Sequence, residues 1–311
     1  MAAIITDQFR IINANNFVES VISGNNSYYT FLGLANPTET GYGRTSTWNS
    51  TTVQPPSPTD SISYINHVYD TMMFGRKVLP GDVRRLVRKV QWTKGTSYDM
   101  YRHDYDVTNR SLVSNSSRLY SANFYIINKD FRVYVCIYNG AAPSNSGKGI
   151  VSLQEPVHTD LQPRLESDGY LWKYLYTIKP SDIVKFDSVD YIPVPFDWLN
   201  NSDTLDVRNA AVDGKIETVV IDDTTSAAYQ FSGTKNNVPI RGDGQDGLAS
   251  VTFVNGKPTA VQVTNGGSGY SFATLDLDSV VTGSGAVFSV IIPPPKGHGA
   301  NIYSCLLYTS D

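Results

Sequence analysis

Two stretches late in the chain repeat one another. Gly214-Lys-Ile-Glu-Thr-Val-Val-Ile-Asp-Asp223 aligns with Gly256-Lys-Pro-Thr-Ala-Val-Gln-Val-Thr-Asn265. Each is followed by a tyrosine, Tyr229 and Tyr270, and then by a glycine turn, Gly242-Asp-Gly244 and Gly283-Ser-Gly285. Each closes on a β-prone run, Ala249–Phe253 and Ala286–Val290. A period of about 41 residues holding one supersecondary unit constrains the fold strongly, because one such unit cannot bury its apolar face alone. Two copies of three or four strands predict a small pseudo-symmetric β-domain over residues 206–297. The run Pro293-Pro-Pro295 makes a stiff exit from it.

Upstream of about residue 205 the texture differs. Aromatic residues are dense, and Asp168-Gly-Tyr-Leu-Trp-Lys-Tyr-Leu-Tyr-Thr-Ile-Lys-Pro180 places Tyr170, Trp172, Tyr174 and Tyr176 along one strand-like alternation. Aromatics laid along a strand make packing surfaces, so Trp48, Trp172, Tyr174, Tyr176 and Trp198 are the expected core or interface residues. A helix is predicted over Asp7–Ser23, with Phe9, Ile12, Phe17, Val21 and Ile22 on one face and a break possible at Asn13–Asn16. A β-run follows at Tyr28–Gly33. A second helix starts at Thr59 or Asp60, carries Ile62, Ile65, Val68, Tyr69, Met72 and Met73, and ends at Gly75 or Pro80. Asp82–Val90 reads as a strand or short helix with one solvated basic face. Ser121–Asn128 and Phe131–Tyr138 form a hairpin around Asn128-Lys-Asp130, with Val133, Val135 and Ile137 on its one buried face and Cys136 packed beside the strand. Ala141–Gly149 is a small-residue loop. Tyr191–Pro195 is extended and edge-like.

The fold class expected is α+β, predominantly β: a mixed N-terminal region over residues 1–205, the repeat domain over 206–297, and a C-terminal segment over 298–311. The last residues, from Cys305, complete no element, and the natural chain is expected to continue beyond them.

Composition narrows the function. Charged residues make up 17% of the chain, against an average near 25%, which with 12% aromatics argues against disorder. A net charge of −4 lacks the basic surplus of a nucleic-acid binder. Cys136 and Cys305 are too few for a disulfide framework or a zinc pattern and point to a reducing compartment. No basic, apolar leader opens the chain, and no apolar run is long enough to span a membrane as a helix. Tyr is abundant, with 20 residues, and suits partly wet interfaces.

Candidate chemistry is thin. Ser144-Asn-Ser-Gly-Lys-Gly149 lacks the first glycine of a phosphate loop, since Pro143 stands there, and Gly149 follows the lysine. Gly266-Gly-Ser-Gly269 lies between strands and reads as a hairpin turn. Gly242-Asp-Gly-Gln-Asp-Gly247 lacks the closing glutamate of a calcium loop, and Arg241-Gly-Asp243 is a three-residue match of little weight. His67, His103, His158 and His298 share no metal spacing. His103 with Asp104 could form a base and its orienting acid, but no nucleophile motif accompanies them. No catalytic, cofactor or metal residues are expected.

An ordered series of segments carries a resemblance. It runs Tyr29-Thr-Phe-Leu-Gly33, Trp48, Pro55-Pro-Ser-Pro-Thr-Asp-Ser61, Met72-Met73 with Lys77-Val-Leu-Pro80, Tyr134-Val-Cys-Ile-Tyr138, Asp168–Tyr176 and Tyr191–Pro195. Over about residues 1–200 the chain resembles the baseplate wedge proteins of T4-type contractile-tailed phages, the gene-product-eight family. The resemblance implies a non-enzymatic virion structural protein of the tail baseplate, homodimeric, made in the bacterial cytoplasm, and in contact with other wedge proteins during assembly. Neither nucleic acid nor membrane is an expected partner. Residues 206–297 depart from the family's type member and resemble the Gly-Ser-Gly-Tyr β-repeats of other phage structural proteins. The alternatives are a receptor- or carbohydrate-binding tail module, suggested by the Asn, Ser, Thr and Tyr content, and a tail-associated glycosidase, for which no carboxylate pair stands out.

Overall fold

The computed structural model describes residues 7–24, 27–32, 72–105 and 122–306. The chain divides into two compact units, Met1–Arg84 and Arg85–Asp311. Among the described residues the architecture is α+β and predominantly β.

In the first unit, α1 (Asp7–Ile22) runs unbroken through the asparagines at 13, 15 and 16. Among its described side chains Val18 and Val21 are buried, whereas Phe9, Ile12, Phe17 and Ile22 stay exposed, so of the apolar face read from the sequence only Val21 is covered. The Phe17 ring meets Tyr28 edge-on at 5.1 Å. Strand β1 (Tyr29–Leu32) pairs antiparallel with β2 (Phe74–Lys77). Of the helix expected from Thr59, only Met72 and Met73 fall among the described residues. They are not helical, and they lead directly into β2. Phe74 has the β preference that Met lacks, and its pairing with Leu32 ends any helix before Gly75.

The second unit opens with β3 (Leu86–Arg88), paired to β8 (Tyr191–Pro193). Only Val87 of β3 is buried, and Leu86 and Arg88 face out. A four-stranded antiparallel sheet runs in the order β4 (Tyr125–Ile127), β5 (Arg132–Tyr138), β7 (Leu171–Thr177), β6 (Arg164–Leu165). The β4–β5 hairpin forms where it was expected. Asn128 makes its turn: its side-chain oxygen accepts from the N–H groups of Asp130 and Arg132, and Phe131 takes φ 57°. The expectation of one buried face fails on β5, where Val133 through Ile137 are all buried. His158 lies against Tyr134, and Tyr98 and Tyr170 lie against Trp172, which neighbours Cys136 in register. These rings cover the second face.

Among the described residues three short helices complete this unit: α2 (Pro180–Phe186), α3 (Leu205–Asn209) and α4 (Ile302–Leu306). Proline at the first position of α2 is pre-set for a helix start. The C-terminal segment forms an element after all. Ile302, Cys305 and Leu306 of α4 are buried in the main core, because Tyr303 Oη donates to the Pro195 and Phe196 carbonyls at 2.7 Å and ties α4 to the chain before Trp198.

The repeat region contains β9 (Val219–Asp223), β10 (Ala228–Tyr229), β11 (Gly233–Gly242), β12 (Gln245–Val254), β13 (Lys257–Ser268), β14 (Ala273–Leu275), β15 (Gly283–Ser284) and β16 (Val287–Val290). The two copies exchange strands. β9 of the first pairs with β16 of the second, and the equivalent β13 of the second pairs with β12 of the first. A bulge recurs at the same point: Asp222 is skipped between Ile221 and Asp223, as Thr264 is between Val263 and Asn265. The tyrosines cross as well. Tyr229 N–H donates to Gly256 O at 3.0 Å, and Tyr270 N–H donates to Gly214 O at 3.4 Å. Both glycines have positive φ, and a Cβ on Gly256 would stand 2.6 Å from Tyr229 O. Each tyrosine anchors its own apolar cluster, Tyr270 with Ile216, Ile240 and Val290, and Tyr229 with Val238, Val251 and Phe253. Gly266–Ser268 is not a hairpin turn. β13 continues through it, and the next strand, β14, pairs with β11 instead, at the far edge of the order β13-β12-β11-β14.

Candidate functional site

The Asp168–Tyr176 segment is organised by its first residue. Asp168 Oδ2 accepts from the N–H groups of Leu153 at 2.7 Å and Gln154 at 2.9 Å, and from Ser152 Oγ at 3.1 Å. Burial pushes this carboxyl's pKa up, but those backbone N–H groups outweigh it and hold it below its ordinary range. Gly169, at φ 91°, then turns the chain so that Tyr170 stacks on Trp172 at 5.3 Å. Trp172 is fully buried, as is Trp198, which meets Tyr176 edge-on at 6.1 Å. The Trp198 Nε1–H donates to the carbonyls of Gly299 and Ala300, both at 3.1 Å. Tyr176 is buried, with its hydroxyl on Pro193 O. Tyr174 is half-buried and meets Tyr134 at 5.8 Å. Trp48 lies outside the described residues.

Between Trp172 and Tyr174 on β7 sits Lys173, and it is buried. Its Nζ lies 2.5 Å from Glu217 Oε1, and Glu217 Oε2 lies 2.8 Å from His298 Nδ1. All three side chains are at most 6% exposed. Burial alone would raise the Glu217 pKa. The Lys173 ammonium and the His298 hydrogen bond overcome this and bring it down to about 2. Burial lowers the His298 pKa, so the neutral imidazole donates from Nδ1 to an ionised Glu217. This cluster was not legible in the sequence, where its members lie far apart and only a lysine inside an aromatic strand hinted at it. It joins the four-stranded sheet, through Lys173, to the segment entering β9, through Glu217.

A second buried cation stands nearby in the same unit. Arg102 grips Asp104 through two bonds at 2.8 and 2.7 Å, and its Nη1 is 3.6 Å from Asp222, the bulge residue of β9. Asp104 therefore serves Arg102 and does not orient His103, whose Nδ1 accepts from the Ile292 N–H at 3.1 Å. Asp243 of the Arg-Gly-Asp string accepts from the N–H groups of Ser271 and Phe272, while Arg241 pairs with Asp276. Among the described residues no group of three His, Cys, Asp or Glu is placed to hold a metal.

An open trough of about 720 Å3 lies within the second unit. It is lined by β13 from Ala260 to Gly266, by Gln162, Pro163 and Leu165, and by Lys215–Thr218. Lys215 Nζ donates to Gln162 Oε1 at 2.6 Å. The charge of Glu217, one of the lining residues, is already taken by Lys173.

No protein-family model matches the chain. Over 220 residues, 62% of this chain, it is 25% identical to the baseplate wedge protein gp8 of Enterobacteria phage T4. The match covers 61% of that protein, so the chain spans about three-fifths of the relative's length.

Proposed function

We propose that this protein is a structural subunit of a contractile-tail baseplate wedge and works by protein–protein contact in virion assembly. The observation that carries this reading is the similarity to a wedge protein, which agrees with the ordered segments Tyr29–Gly33 to Tyr191–Pro195. On this reading the chain is a non-enzymatic homodimer in the tail baseplate, its partners are other wedge proteins, and residues 1–205 and 206–297 act as a wedge-like region and an appended repeat domain. The buried charge clusters support it in one respect. Lys173 pairs with Glu217, and Arg102 with Asp104, as suits rigid parts. A carbohydrate-binding module would need aromatic faces for sugar rings, and the trough offers Tyr138 alone among its lining residues.

Co-sedimentation with the other wedge proteins of the same phage tests the proposal. Incorporation into a defined heavier complex is expected. If the chain stays apart while the remaining wedge assembles without it, the proposal is wrong.

A further inference from the structure

We infer that the apolar strip Ile150–Val157, in the connection between β5 and β6, is where a neighbouring wedge protein docks, and that the repeat stands outside this contact. This deepens the wedge reading and rests on it.

The repeat is an insertion. Its two ends meet, since the Lys296 N–H donates to Asp213 Oδ1 at 2.6 Å. Gly297, at φ 89°, runs so close to Val212 that a Cβ would stand 2.4 Å from the Val212 carbonyl oxygen. The chain on either side closes into one core: Val207 before the repeat and Ile302, Cys305 and Leu306 after it belong to the same cluster. The repeat has two apolar clusters made of its own residues, and Val220 and Ile291 are its buried members in the main core. Adjacent ends and a private core let a module be inserted without disturbing its host. The segments that resemble wedge proteins, Tyr29–Gly33 to Tyr191–Pro195, all lie outside it.

Exposed apolar side chains are distributed in the same way. Over residues 213–296 the large ones are Val254, Phe272 and Val287. The β5–β6 connection alone exposes Ile150, Val151, Leu153, Val157, Leu161 and Leu165. Its backbone is fixed where they cluster. The Ser152 N–H donates to Thr96 O at 2.9 Å, and Asp168 holds the N–H groups of Leu153 and Gln154. The Asn128 amide donates to Pro156 O at 2.9 Å, and Tyr134 Oη donates to His158 O at 2.7 Å. Ser152, Pro156 and His158 are buried, while Val151, Leu153 and Val157 are left about half exposed. A strip ordered before binding loses little conformational entropy on docking.

Charge selects the partner. Lys94 precedes Gly95, whose N–H donates to Ser152 O at 2.8 Å, and Lys148 lies two residues before Ile150. Both are exposed, and neither has an ion pair among the described residues, whereas Glu155 within the strip is taken by Lys129 at 3.5 Å. The face that fits is apolar with carboxylates at its rim. A second copy would offer the same lysines in place of those carboxylates.

Amide hydrogen exchange on the full chain, alone and within the wedge complex, tests the inference. On incorporation, exchange over Ile150–Val157 should slow about tenfold, and exchange over Gly233–Val254 should not change. Val151→Ser with Leu153→Ser should weaken incorporation at least about tenfold, and Lys94→Glu with Lys148→Glu about fivefold. Val254→Ser with Phe272→Ser should leave it within about twofold. These side chains are exposed, so each variant alone should keep the wild-type unfolding transition. The exchange measurement needs no variant, so a misfolded one leaves it decisive. If the wild-type chain joins with exchange over Ile150–Val157 unchanged, or if the Val254 and Phe272 substitutions weaken joining and the Val151 and Leu153 substitutions do not, the inference is refuted and the wedge reading stands. If the Val151 and Leu153 substitutions instead halve the mass of the free protein, the strip joins two copies and the inference is wrong. If the wild-type chain does not join, both fall.

Discussion

Replacing Glu217 with glutamine should be among the most damaging single substitutions in the second unit. The side chain keeps its shape, but Lys173 loses its counter-charge at a site where its own exposure is 2%. At 2.5 Å and an effective dielectric near 20, the gross attraction between the two charges is about 7 kcal/mol. Desolvation offsets most of that, at several kcal/mol per buried ion. The intact pair is therefore worth little more than a well-packed apolar pair, whereas breaking it by removing one partner costs about 3–5 kcal/mol. For a unit of this size that corresponds to a fall in Tm of roughly 10 °C. Urea unfolding followed by the fluorescence of Trp172 and Trp198 would measure it. The double variant Lys173→Met, Glu217→Leu should recover most of the loss, since no unpaired charge remains. A cost of Glu217→Gln below about 1 kcal/mol, or a double variant as unstable as the single, would falsify the account of a desolvated, mutually dependent pair.

Acid should act on the same cluster. The Glu217 pKa is depressed to about 2 in the fold, so its contribution is full above the unfolded value near 4.3 and is lost as pH falls from there toward 2, about 3 kcal/mol in all. The depressed His298 pKa works in the same direction from below about pH 6.5, and Glu217→Gln should flatten the lower part of a pH–stability profile. Gly214→Ala and Gly256→Ala should each cost more than about 3 kcal/mol, because a Cβ would strike the backbone of Tyr270 or Tyr229. Gly95→Ala, also at positive φ but with open space around it, should cost only about 1 kcal/mol, and thermal unfolding of the three variants compares them directly. Asp168→Ala should cost about 3 kcal/mol and loosen the Leu153–Gln154 loop, visible as faster amide exchange at those two residues.

Elements whose cause is local were legible in the chain: α1 from the spacing of its apolar residues, the β4–β5 hairpin from Asn128, β7 from its aromatic alternation, and the repeat from its period. Errors came where a neighbour decided. Met72 and Met73 carry helical spacing but precede a strand paired with Leu32. Val133–Ile137 alternate as if half-exposed, yet His158, Tyr98 and Tyr170 cover the second face. Asp104 follows His103 in sequence but is held by Arg102.

By itself, then, the sequence determined that this is a predominantly β protein with a doubled module, because hydrophobic period, turn residues and glycine spacing act over a few residues. Only the tertiary structure decided that the two repeats exchange strands, that Lys173, Glu217 and His298 meet, and that β9 is covered while β13 is not. Those outcomes depend on which surfaces come together over separations of 40 residues and more, and Coulomb attraction and burial act through space without regard to position in the chain.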